Sequence, residues 1–317
     1  MEKSNYFHGY NCFSSALGEG LKKLNREECL KIINLRWTFD YCKEMEDDNL
    51  WFIGACVEPY DYLLQYDINR FCGIEIIEVI PDKKDSIKIL EEEIAKNGFQ
   101  FTMVDFFCMK SIDWNRMERF GFYPRHLPHF IIITEIKNGF ATYIDPQYRF
   151  TGRISIEELN FARNGEVCHI EIANRYFTFL QHISTEININ EYIKYQLYRY
   201  VNNKHINKIE MFAADIMEIY DREKYKENNE WFFNTYLSLE SIVDMRVAFS
   251  SSIININYTQ KEELKRIVDI WIRIRKLFFN MYKKKEYRCN ENINVTINML
   301  LAVKKAEETF IENYLKI

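Results

Sequence analysis

The sequence predicts an α+β protein in two parts, an N-terminal half with a central helix and an antiparallel sheet, followed by an all-α helical C-terminal region. Three observations predict it. β-branched and aromatic runs from Phe130 to Ile136 and from Phe140 to Ile144 flank Asn138-Gly139, the signature of a two-stranded hairpin. Helix-period and strand-period apolar segments alternate through residues 1–173. From Asn174 onward the chain contains neither Pro nor Gly and keeps helical periodicity almost throughout, so the predicted domains are 1–173 and 174–317.

The first helix begins at Cys12. Gly9-Tyr10-Asn11 has little helix-forming character, whereas Ser, Ala, Leu and Glu follow the cysteine, and Phe13 to Leu24 suits an amphipathic helix. A second helical stretch covers Arg26 to Leu35, followed by an apolar run from Leu50 to Val57 and an extended run from Ile74 to Ile80 that Pro81-Asp82 stops. Lys84 to Lys96 returns to helical spacing, with Ile87, Leu90 and Ile94 on one face, and Asn97-Gly98 ends it before a strand from Gln100 to Phe107. After the hairpin, Ser155-Ile156-Glu157-Glu158 opens a short helix to Arg163 with capping-box spacing, and a last strand is expected at Val167 to Ala173. The second half reads as helices at Ile189–Val201, Ile206–Tyr220, Trp231–Phe249, Gln260–Tyr282 and Asn294–Leu315, joined by Asn/Lys-rich turns.

The chemistry-bearing residues fall on these elements in a particular way. His129 opens the first hairpin strand and Asp145 closes the antiparallel second one, so the two side chains are expected side by side. A carboxylate bonded to one ring nitrogen fixes the histidine tautomer, leaves the other nitrogen to take a proton from a thiol, and stabilises the imidazolium that results. Cys12 supplies the thiol, at a helix start whose N–H groups and dipole favour a thiolate. Asp105 is the competing carboxylate. His126 precedes His129 across Leu127-Pro128, and the proline argues against a helical zinc pair. Glu19 and Glu58 are expected at the surface or the rim of a pocket, and the direction of His8 is left open by Gly9.

The order Cys12, His129, Asp145 resembles that of the papain-like cysteine enzymes, in which the nucleophile starts the central helix and the base comes from a later sheet. Within that superfamily, residues 5 to 173 are similar to the family of butirosin biosynthesis protein H, through the Asn11-Cys12 lead-in, GFQFTMVDFF, HFIII and YIDP. They also resemble the cysteine-protease homologue that forms an amide in closthioamide biosynthesis. The resemblance implies a papain-like fold and an amide-forming acyltransferase of antibiotic biosynthesis, with Cys12 as nucleophile, His129 as base and Asp145 as orienting group. It implies an acyl or peptidyl carrier protein as donor partner, a small-molecule amine as acceptor, and no cofactor beyond the phosphopantetheine arm that carries the acyl group. Papain-like peptidases place a Gln six residues before the cysteine as an oxyanion-hole donor; here that position is Tyr6, whose hydroxyl is the candidate donor beside the Cys12 backbone N–H. The same triad working with water is the alternative, a peptidase, amidase or thioesterase. A catalytically silent binding protein on this fold is a third reading, and the presence of all three residue types weighs against it.

Composition sets the remaining bounds. A chain of 317 residues is long enough for two ordinary domains or one large one, and 47% hydrophobic residues supply proper cores. Net charge is −5, with the acidic excess in residues 1–173 and a small basic excess in residues 174–317, which gives no nucleic-acid face. The basic run Lys283-Lys284-Lys285 suits either an acidic carrier protein or plain solvation. No basic start with an apolar run and no long apolar segment is present, so a cytoplasmic protein without a membrane span is expected. The eight cysteines contain no close pair and are expected as buried free thiols without zinc. The helical half is expected to complete an acceptor pocket, dock a partner or form a homo-oligomer, roles that helix patterning does not separate.

Overall fold

The computed structural model describes residues 6–43, 52–56, 61–119, 126–168, 171–182, 186–221, 230–284 and 290–316, and the fold is α+β. It divides into two units that interleave in sequence: Met1–Ile33 with Asp61–Ile187, and Asn34–Tyr60 with Asn188–Ile317. The inserted segment of the second unit carries a short antiparallel pair, β1 (Asp40–Cys42) and β2 (Phe52–Gly54). β2 lies within the apolar run expected from Leu50 to Val57, of which residues 52–56 are described.

The first unit is built on a six-stranded antiparallel sheet of β3 (Ile74–Val79), β4 (Gln100–Asp105), β5 (Pro128–Lys137), β6 (Phe140–Asp145), β7 (Phe150–Ser155) and β8 (Tyr176–Gln181). Its order is β3-β8-β4-β5-β6-β7. Asn138 and Gly139, both at positive φ, make the β5–β6 turn that the Asn-Gly pair predicts. β7 extends the meander although its sequence is a weak strand former. Gly152 explains how it fits: a Cβ there would meet the Tyr143 ring of the neighbouring strand at 2.8 Å, so only glycine lets that ring lie across β7.

None of the described residues of the expected strand at Val167–Ala173 lies in a strand. Ala173 and Asn174 both take positive φ, which no strand continues through, and the strand lies beyond them at Tyr176–Gln181. β8 is inserted between β3 and β4, so the sheet of the first unit is completed by residues past the predicted boundary after residue 173.

Helix α1 (Cys12–Lys23) packs through Phe13, whose ring lies 5.4, 5.1 and 5.6 Å from those of Phe101, Phe130 and Phe177. Such pairs add about 0.5–1.5 kcal/mol each beyond their area burial. They pin the start of α1 to β4, β5 and β8. Residues of opposite parity, Val104, Ile131 and Ile133, pack with Leu90 of α4 (Ser86–Asn97) and Leu159 and Ala162 of α6 (Ile156–Asn164), so helices cover the sheet. The capping box predicted at Ser155 and Glu158 is present at the head of α6. The unit also contains α2 (Leu30–Asn34), α3 (Tyr62–Cys72) and α5 (Trp114–Glu118).

The second unit is helical: α7 (Ile189–Asn202), α8 (His205–Asp221), α9 (Glu230–Ser252), α10 (Tyr258–Lys284) and α11 (Asn290–Leu315). Each matches a helix expected from the sequence to within a few residues. Residues 35–41 thread this bundle, with Trp37 against Phe249 and Phe310, and Phe39 against Trp271. Among the described residues no helix is long and apolar enough to cross a membrane.

Candidate active site

Cys12 occupies the first position of α1, as its flanking residues predict. Asn11 is the N-cap, with extended backbone; its side-chain oxygen accepts from the Ser14 N–H at 2.8 Å, and the Asn11 N–H donates to Ser14 Oγ at 3.0 Å. This reciprocal pair satisfies two backbone donors and fixes the helix start. The preceding chain folds back over the first turn, where Gly9 donates its N–H to Ser15 Oγ at 2.9 Å. A Cβ on Gly9 would sit 2.3 Å from Ser14 Oγ, so the approach requires glycine. Tyr10 is buried and donates its hydroxyl to the buried Asp61 carboxylate at 2.9 Å, a second anchor two residues before the thiol.

His129 is 4% exposed and Asp145 is fully buried, with His129 Nε2 2.8 Å from Asp145 Oδ2. The other ring nitrogen is left over, and Cys12 is near enough to the imidazole to add to its raised proton affinity. The Tyr148 N–H donates to Asp145 Oδ1 at 3.3 Å, so the carboxylate is held on both oxygens. Burial lowers the imidazole's proton affinity, but the Asp145 charge and hydrogen bond, with smaller contributions from Cys12, override it and raise the pKa to about 10. Burial likewise raises the Asp145 carboxyl, and the His129 charge and hydrogen bond outweigh it, so its pKa is lowered.

These shifts make stability depend on pH. The raised histidine contributes fully below its ordinary value of 6.5 and loses that contribution as pH rises through about 10. The depressed aspartate contributes above its ordinary 3.8 and loses it as pH falls through its lower folded value. Asp145→Asn is therefore expected to destabilise the protein most between those ordinary values, with the deficit shrinking toward pH 10 in urea titrations. Turnover should fall by about 100-fold, because the imidazole loses its charge partner but keeps part of its alignment. A deficit that does not change with pH would show that the pair is not ionised.

Asp105, the competing carboxylate, is taken elsewhere. It is fully buried, with Oδ2 2.6 Å from His126 Nδ1, and Oδ1 accepts from the Phe107 N–H at 3.1 Å. His126 is a loop residue just before β5, and its ring forms a second His–Asp pair with Asp105. Burial, then the Asp105 charge, pushes the Cys108 and Cys168 thiols up to about 12, which keeps them protonated at neutral pH. The seven described cysteines are free thiols, and only Cys29 and Cys72 are fully buried, whereas burial was expected for most. Among the described residues no cluster of His, Cys, Asp or Glu is placed to hold a metal ion.

The remaining candidates fall as follows. The Tyr6 hydroxyl pairs with Thr151 Oγ1 on β7, the strand beside Asp145. Glu19 is buried rather than on the surface; it accepts from the Phe7 N–H at 3.0 Å, tying the N-terminal segment to α1. His8 is exposed, and Glu58 lies outside the described residues.

Sequence reading missed the cover of the site. The Phe106 ring lies 4.4 Å from His129 and 5.3 Å from Tyr148, and Trp114 packs on Phe106 at 5.1 Å. It also missed Gln147, whose Oε1 accepts from Ser15 Oγ at 2.7 Å. The only signal for Gln147 and Tyr148 was their place just after Asp145-Pro146. No protein-family model matches this chain, and no curated protein matches it.

Proposed function

We propose that the protein is a papain-like, cysteine-dependent acyltransferase that forms an amide from a carrier-bound thioester and a small-molecule amine. The observation that carries this reading is the buried Asp145–His129 pair with Cys12, at a capped helix start, near enough to raise the imidazole's proton affinity. Cys12 Sγ adds to the thioester carbonyl, the bond to the donor sulfur breaks, and the donor thiolate leaves with the proton held by His129. The amine then attacks the acyl-enzyme, gives its proton to the neutral imidazole, and Cys12 leaves as thiolate. No ATP is needed, because the thioester already holds the activation. The Phe106 and Tyr148 rings beside His129, with Trp114 packed on Phe106, favour an acceptor other than water by limiting its access. A phosphopantetheine donor and a place in antibiotic assembly belong to the same reading and rest on the resemblance of residues 5 to 173 to the butirosin biosynthesis protein H family.

The test is intact-protein mass spectrometry after incubation with short acyl thioesters of phosphopantetheine, with and without simple diamines. The expected result is an adduct that diamines discharge faster than water does. Discharge by water alone would make the protein a hydrolase, and no adduct from any thioester, free or carrier-bound, would remove the reading.

A further inference from the structure

We infer that Gln147 supplies the second oxyanion donor of this site, its carboxamide N–H acting beside the Cys12 backbone N–H. The inference rests on the acyl-transfer reading above and adds a catalytic residue to it. Addition of Cys12 Sγ to a carbonyl moves the π pair on to oxygen, and that charge needs donors fixed before it appears. The Cys12 N–H, at the first helical position, has no intrahelical carbonyl to serve. Tyr6, the other candidate, has its hydroxyl engaged with Thr151.

Gln147 meets the requirement through its neighbours. It lies two residues beyond Asp145 and next to Tyr148, both of which hold or cover His129. Its partner Ser15 lies three residues after Cys12, hence one turn along the same helix face. The bond also settles which way the carboxamide faces. Ser15 Oγ accepts from the Gly9 N–H and donates its proton to Gln147 Oε1, so the carboxamide presents its oxygen to the serine. The NH2 end is therefore turned away from Ser15, and among the described residues no protein group accepts from it. A half-buried amide clamped through its oxygen, with both N–H groups to spare, is pre-organised as a donor.

Two reactions of Cys12 separate this role from a structural one. Acylation by p-nitrophenyl acetate or by a phosphopantetheine thioester passes through an oxyanion, whereas alkylation by iodoacetamide does not. Gln147→Met, neutral and of similar length, is expected to slow acylation by about 100-fold and to leave alkylation within about twofold of wild type. Ser15→Ala, which frees the carboxamide to rotate, should slow acylation less and spare alkylation. Equal acylation of Gln147→Met and wild type overturns the donor assignment alone. A parallel loss of acylation and alkylation also overturns it, since the residue would then only hold the site together. A wild-type protein that is alkylated at Cys12 yet takes no acyl group overturns the acyl-transfer reading, and the donor role with it.

Discussion

Cys12→Ala is expected to lower acyl transfer by about 10⁵-fold or more, to the background of thioester aminolysis, because no covalent intermediate can form. The fold should survive. The head of α1 is secured by the reciprocal Asn11–Ser14 bonds, by Gly9 on Ser15 and by the Phe13 cluster, none of which involves the Cys12 sulfur. Losing a half-buried sulfur then costs no more than about 1 kcal/mol, measured as a small shift in thermal midpoint. His129 gives an independent readout. Asp145 raises its proton affinity more than Cys12 does, so by NMR its pKa should drop in the variant yet stay above 6.5. Cys12→Ser keeps the shape of the site and should also be nearly inactive, since the alcohol is a far weaker nucleophile than a thiolate. Turnover at the wild-type rate in either variant would remove Cys12 as the nucleophile.

The parts of this site that local chemistry dictates were legible in the sequence. The Asn-Gly turn was legible and pairs Lys137 with Phe140, but His129 and Asp145 share a face only because a β-bulge between Ile133 and Glu135 shifts the β5–β6 register by one residue, and the sequence reading had no bulge. The loop-to-helix change at Cys12 was, like the turn, local. What was not legible depended on contacts between distant segments. β8 enters the sheet between β3 and β4 and is fixed by pairing with both, while the apolar run expected as a strand ends in two left-handed residues, Ala173 and Asn174. β7 is a strand because Gly152 receives the Tyr143 ring, a fit that no propensity encodes. Asp105 and Asp145 end the two apolar strands, β4 and β6, that flank β5. Only the pairing of Asp105 with His126 shows which carboxylate serves His129. Gln147 carried no motif, and its partner lies 132 residues away.

In the helical unit the largest expected effect on stability is at Glu307. The carboxylate is fully buried on α11 and accepts four hydrogen bonds: Oε1 from Arg246 Nε at 2.9 Å and Trp271 Nε1 at 2.8 Å, Oε2 from Arg246 Nη2 at 3.1 Å and the Tyr200 hydroxyl at 2.7 Å. Those donors come from α7, α9 and α10, so one residue joins four helices. Arg246 also donates Nη1 to the Thr38 carbonyl at 3.0 Å and lies 3.9 Å from the Trp37 ring centroid, which binds the inserted segment into the same network. Glu307→Ala leaves a buried guanidinium without its counter-charge and two ring donors without an acceptor, a loss of at least about 3–5 kcal/mol. Set against total stabilities of about 5–15 kcal/mol, this should bring the unit close to unfolding in urea titrations followed by circular dichroism. Glu307→Gln keeps one acceptor oxygen and should lose less. The double variant Arg246→Met/Glu307→Leu removes both charges together and should recover much of the loss, because the penalty comes from stranding one partner rather than from lacking the pair. A Glu307→Ala loss below about 1 kcal/mol would mean that water reaches the guanidinium and that the four bonds do not act as a unit.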